Sequence, residues 1–162
     1  MEACGTPFAT STHARRFMEH LSTLHPKLLQ LSPHSWDDAL HAITMVDMID
    51  PLNDVLEHQN LSKADIEGLG SDGVKSLIED LPSRRIDLHL HRQVLRNPGL
   101  APKITDLEDW GGLGPAAGHC AVLVCEKHFA SLLLRDGFRP GAVVLTDLRD
   151  LHRLARPTTA AV

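Results

Sequence analysis

Two aspartates, Asp106 and Asp109, stand three residues apart ahead of a short apolar run, Ala121 to Val124, and a third carboxylate, Glu126, follows that run. A run of this length bounded by turn signals reads as a buried strand. Glu126 then marks the strand's exit, and the two aspartates approach from the segment before it. Carboxylates gathered in one place repel one another, and a hard divalent cation with oxygen ligands is the usual remedy. Such a group serves metal-dependent attack on a phosphodiester, with Asp106, Asp109 and Glu126 as candidate catalytic and metal-ligating residues. The plainer reading is a pair of acids at a helix N-terminus, where they complement the dipole, beside a surface glutamate.

Other constellations carry less. Cys120, Cys125 and His128 have the residue types of a zinc site. Two cysteines an odd number of positions apart on one strand point to opposite faces, however, which opposes shared ligation. Thiols packed as small apolar groups explain them better. His89 and His91 would share a strand face but lack a third ligand. Gly111-Gly112-Leu113-Gly114 has neither the lysine nor the spacing of a phosphate-binding loop, and Ser83 and Ser131 have no nucleophile-elbow context.

Periodicity outlines the elements that must position these groups. A helix is expected from Ala14 to Leu24. Trp36, Leu40, Ile43, Val46 and Ile49 recur at helical spacing, so a helix runs from Ser35, as N-cap, to Gln59, divided or kinked by Pro51. Asp47, Asp50, Asp54 and Glu57 form its solvated face. Ser62 and Asp65 have the spacing of a capping box. Arg84 to Arg96 alternates like a strand in part, yet Pro82 ahead of it favours a helix. The remainder reads as strand (Ala121 to Cys125), helix (Lys127 to Asp136), turn (Gly137 to Gly141), strand (Ala142 to Thr146) and short helix (Leu148 to Ala155). Two apolar strands around a helix are the signature of a parallel βαβ unit, so the fold class is α/β. An irregular segment over residues 1–34, one domain over 35–156 and a tail over 157–162 complete the organisation.

The chain's 162 residues suffice for one domain with an ordinary core. Four Phe, two Trp and no Tyr leave stacking platforms for single-stranded bases unadvertised. No apolar run approaches the roughly 20 residues that cross a bilayer, and the N-terminus lacks the order of a secretory signal. Cys4, Cys120 and Cys125 make no disulfide framework, so a cytoplasmic location is expected. Residues 1–83 carry a formal charge of −8 and residues 84–162 carry +3. A basic half that also holds the clustered carboxylates suits a nuclease, with bases holding phosphate and acids holding metal.

The order Leu81-Pro82-Ser83-Arg84-Arg85, Arg96-Asn97, Thr105-Asp106-Leu107-Glu108-Asp109, His119-Cys120, Val124-Cys125-Glu126-Lys127 resembles the C-terminal part of bacterial PIN-like proteins. The likeness covers roughly Ser62 to Leu154. It implies a three-layer α/β/α fold around a short parallel sheet and a ribonuclease that depends on Mg²⁺ or Mn²⁺. Either Asp106 or Asp109 would supply the family's third carboxylate, Glu126 would fall at or near the fourth, and one of the residue 47–57 acids could serve as the second. Arg84, Arg85, Arg92, Arg96 and Lys103 would position the RNA backbone by charge. An antitoxin-like protein partner is also implied.

The chain departs from that pattern at definite places. No apolar strand ending in aspartate opens it; Trp110-Gly111-Gly112-Leu113-Gly114-Pro115 argues against a regular helix there; Ala121 stands where the pattern has aspartate; Thr105 and Cys125 replace asparagine and threonine. These departures imply an N-terminally truncated, diverged member whose nuclease activity is weakened or absent. The alternative is a PIN-derived module that binds RNA or protein without catalysis.

Overall fold

The structure, a computed structural model, describes residues 10–97, 99, 103 and 107–154. At its centre the segment with mixed periodicity is a helix, α6 (Pro82–Arg96). Pro82 occupies the first turn, where a missing N–H breaks no helical bond. Ile86, Leu88, Leu90, Val94 and Leu95 are all buried, so the helix is surrounded rather than laid on a surface. Around it pack α1 (Thr10–Leu28), α2 (Pro33–Met45), α5 (Gly70–Asp80), α7 (Leu107–His119) and α8 (Lys127–Leu133). Two smaller helices, α3 (Ile49–His58) and α4 (Lys63–Glu67), connect α2 to α5, and α9 (Leu151–Leu154) follows the sheet.

That sheet is a parallel pair, β1 (Val122–Val124) and β2 (Val143–Leu145), joined through α8. The described residues are therefore mostly helical with a small parallel sheet, which agrees with an α/β class. Among them no helix is long and apolar enough to cross a membrane.

Several element boundaries differ from expectation, each for a local reason. Ser32, not Ser35, caps α2: its Oγ accepts the Ser35 N–H at 3.2 Å, and Pro33 follows at the first helical position. The long helix expected over residues 35–59 breaks in a 3₁₀ turn at Val46–Met48, before Pro51. Pro51 then falls in the first turn of α3, where no N–H is needed. Ser62 and Asp65 do form their box. The Ser62 N–H donates to Asp65 Oδ2 at 2.7 Å, and the bonds from Ser62 hold the Asp65 carboxyl below its usual range. Within residues 1–34, the helix expected over Ala14 to Leu24 is longer, running as α1 from Thr10 to Leu28, and it places Leu21 and Leu28 in the core. His25 Nδ1–H donates to the Leu95 carbonyl at 2.7 Å and ties α1 to α6.

The largest difference is α7, a helix despite Gly111, Gly112, Gly114, Gly118 and an internal Pro115. Its glycines are not equivalent. Gly114 is buried against α6, where an added Cβ would stand 2.6 Å from Asp87 Oδ1. At Gly118 an added Cβ would lie 2.9 Å from both the Pro82 carbonyl carbon and the Ser83 nitrogen. Bare backbone at these two positions lets α7 press directly on the start of α6. Trp110, Leu113 and Ala117 are buried beside them. Tertiary packing thus overrides a poor local propensity. The end of α7 also fixes the sheet, because the Ala142 N–H donates to the Ala117 carbonyl at 3.0 Å.

Gly118 and Gly111 differ in what an added methyl would meet. Gly118→Ala should lower unfolding free energy by about 1–3 kcal/mol, the usual cost of overpacking against atoms that cannot yield. Gly111→Ala, whose added methyl meets nothing within 4 Å, should raise it by up to about 1 kcal/mol. Urea denaturation at neutral pH measures both, and equal effects of the two changes would refute the close-approach role.

Candidate functional site

Parallel strands deliver their C-terminal ends to one edge, and that edge is where open α/β sheets bind ligands. Val124 of β1 pairs with Leu145 of β2. Glu126 and Asp147 each stand two residues beyond that pair, so they leave the sheet in register at the same edge. Asp109, exposed in the first turns of α7, approaches from above it. The three carboxylates line one crevice of about 560 Å³, with Leu113, Leu123 and Phe129 as its apolar wall.

Each acid has a distinct setting. Glu126 caps α8 with its backbone only, its side chain making no capping bond, and it is exposed. Asp147 opens a 3₁₀ turn and is engaged by Arg149, whose backbone N–H donates to Oδ1 at 2.9 Å and whose guanidinium donates to both oxygens. That pairing holds the Arg149 guanidinium above its already high value. Cys125 also lines the crevice. Burial pushes its thiol up and the Glu126 charge adds to the effect, so it is a poor thiolate donor or nucleophile. Oxygen donors in a partly apolar cleft suit a hard cation such as Mg²⁺ or Mn²⁺. Among the described residues no three His, Cys, Asp or Glu side chains already sit close enough to hold an ion, so these carboxylates would have to draw together.

The residues singled out from sequence fall in different places. Asp106 lies outside the described residues. Asp109 and Glu126 share the crevice, whereas Asp50, Asp54 and Glu57 on α3 do not line it. The third carboxylate present is Asp147, which sequence reasoning passed over. Its signal was there: Ala142 to Thr146 is an apolar strand ending in an aspartate, the pattern sought at the start of the chain.

The basic residues lie elsewhere. Arg84 faces Asp87 at 3.5 Å, Arg85 donates to the Arg139 carbonyl at 3.1 Å, and Lys103 is exposed. Arg92 and Arg96 line a second crevice of about 360 Å³, formed by α2, α6 and the turn at residues 136–138, which shares no residue with the first. Its floor is polar and buried. His89 is 4% exposed and Gln93 is 5% exposed. Gln93 Nε2 donates to Asp136 Oδ2 at 2.8 Å, and His89 Nε2–H donates to the Leu132 carbonyl at 3.0 Å. That bond fixes the neutral tautomer with its proton on Nε2.

No protein-family model, curated protein or solved structure matches the chain.

Burial holds His89 below the usual histidine value, with Arg92 acting in the same direction and the Leu132 bond and Asp136 opposing. A histidine depressed in the folded state leaves stability intact above its unfolded value and erodes it below. The loss should begin near the unfolded value of about 6.5 and proceed as pH falls. The stability gap between wild type and His89→Gln, read from urea midpoints, should therefore narrow from about pH 7.5 to about pH 5.5. A gap constant across that range would show that His89 does not titrate in the folding equilibrium.

Proposed function

We propose that the chain carries a PIN-like, three-layer α/β/α domain whose crevice at the C-terminal edge of the parallel strands binds Mg²⁺ or Mn²⁺ and hydrolyses phosphodiester bonds of RNA. The observation that supports this reading is the meeting of Asp109, Glu126 and Asp147 in one crevice at that edge. The three come from three separate elements. A bound cation there would supply an activated water and positive charge for the phosphate. The protein's part is to hold the oxygens, with Glu126 and Asp147 set in register by β1 and β2 and Asp109 carried by α7. The apolar wall of Leu113, Leu123 and Phe129 lowers the local dielectric, which strengthens charge interactions within the crevice.

One observation favours the second reading, a PIN-derived module that binds RNA or an antitoxin-like protein without cleaving. Arg149 holds both oxygens of Asp147, so a positive group of the protein's own stands beside one of the proposed ligands.

Calorimetry with Mn²⁺ distinguishes the two. Wild type should bind saturably, and the combined Asp109→Asn, Glu126→Gln, Asp147→Asn variant should give no saturable heat while remaining folded. Arg149→Ala should tighten Mn²⁺ by about two- to five-fold, the worth of an exposed ion pair released in favour of the cation. Manganese-dependent cleavage of an RNA oligonucleotide should follow the same order across the three proteins. Absent binding by folded wild type, the nuclease reading fails and the binding module remains.

A further inference from the structure

Arg85, His89, Arg92, Gln93 and Arg96 recur along α6 at helical spacing, so they share one side of the helix over roughly 16 Å. Two aromatic side chains from other elements close on that stripe. Trp36 of α2 packs against the core and carries the Arg96 guanidinium carbon 5.0 Å from its ring centroid. Phe138, in the segment after α8, stacks on His89 at 4.0 Å with an 11° tilt, and the Arg85 guanidinium carbon stands 5.5 Å from its centroid. Few aromatics occur in the chain, yet the fold brings these two to the same arginine-bearing helix face.

From this juxtaposition we propose that the crevice between α2, α6 and residues 136–138 binds single-stranded RNA, with a base on Trp36 and its phosphate on Arg92 and Arg96. The volume, about 360 Å³, lies in the range of small-molecule sites. Arg92 is already oriented by Asp37, with Nη2 to Oδ1 at 3.1 Å, which leaves its remaining donors for a phosphate. Lys75 stands 3.5 Å from Asp37 but pairs more closely with Asp38, so Asp37 serves chiefly to hold Arg92 in place. Arg96 is exposed and swings from the indole to the phosphate as the base takes its place.

The crevice's own acids decide between ligand classes. Asp37 and Asp136 line the same cleft as the arginines. An acidic peptide would set carboxylates against them. A nucleotide instead offers a flat ring for Trp36, exocyclic amines that a carboxylate can accept from, and a phosphate for the arginines. Along the chain α8 lies between the two crevices, Glu126 lining one and Asp136 the other. The inference rests on the RNA reading for its choice of ligand, but not on cation binding or cleavage.

The test is fluorescence anisotropy of a labelled six-nucleotide adenylate RNA at low salt with EDTA present, which silences any cation site. Wild type should bind saturably and lose affinity as salt rises. Arg96→Ala, at an exposed position, should reduce the log–log salt slope by about 0.7, one single-strand phosphate contact. Trp36→Leu should weaken binding by at least about five-fold, the loss of one base stack. The combined Asp109→Asn, Glu126→Gln, Asp147→Asn variant should bind at least as tightly as wild type, since three charges that repel the RNA are gone. Affinity untouched by both Arg96→Ala and Trp36→Leu, or equal displacement by polyglutamate, would overturn the assignment. A protein that binds RNA here but takes up no Mn²⁺ would retain this site and lose only the nuclease reading.

Discussion

The close approach of α7 to the first turn of α6 is the constraint on which the rest of the molecule depends. Gly118 lies so near the Pro82–Ser83 backbone that no side chain fits between, and Gly114 leaves room for Asp87. A helix interior proline such as Pro115 costs about 3 kcal/mol. Burial of large side chains such as Trp110 and Leu113, worth roughly 1.5–3 kcal/mol each, offsets it. The same seam sets the sheet. Through the Ala117 carbonyl it fixes the start of β2, and through α7's own course it brings Asp109 over the ends of both strands. Glycines that argue locally against a helix are thus a condition for the carboxylates to meet.

Much of the framework was legible because it is written in short-range pattern. Two apolar runs around Lys127–Leu133 gave the parallel βαβ unit, and Ser62 with Asp65 gave a capping box seen in the structure. Glu126 could be placed at a strand exit for the same reason. α7 could not be read, since its helicity comes from a neighbour in space and its own composition points the other way. Asp147 has no acidic neighbour in the sequence to mark it, and its role emerges only when β2 pairs with β1 and sets it level with Glu126. The Trp36 crevice was out of reach altogether: residues 36, 96 and 138 meet only after α2, α6 and α8 have packed. Local chemistry survives a reading of the sequence better than pairings across the fold do.

Two arginines of α6 and the carboxylates at the sheet edge line separate crevices. Asp109, Glu126 and Asp147 line one crevice where β1 and β2 end, and Arg92 and Arg96 line another with Trp36 and Phe138. An acidic cleft without a counterion repels a phosphate backbone, so arginines placed directly beside it would be consumed in pairing with the acids. Arg149 does this with Asp147. In the second crevice Arg96 is exposed beside Trp36, while Arg92 is paired with Asp37.

The tie between His25 and the Leu95 carbonyl joins residues that are seventy positions apart in the chain. By contrast α6 and α7 are consecutive helices, and β1 and β2 are joined by one short crossover that contains α8. Loop closure costs rise with separation, and contacts between sequence neighbours form before distant ones reward their entropy. The core from α6 to β2 can therefore assemble first and serve as a template. On this argument α1, joined to α6 through Leu21, His25 and Leu28, is expected to dock last and to come away first. The N-terminal helix is in this sense a clasp, closing the core over α6 with Leu21, His25 and Leu28.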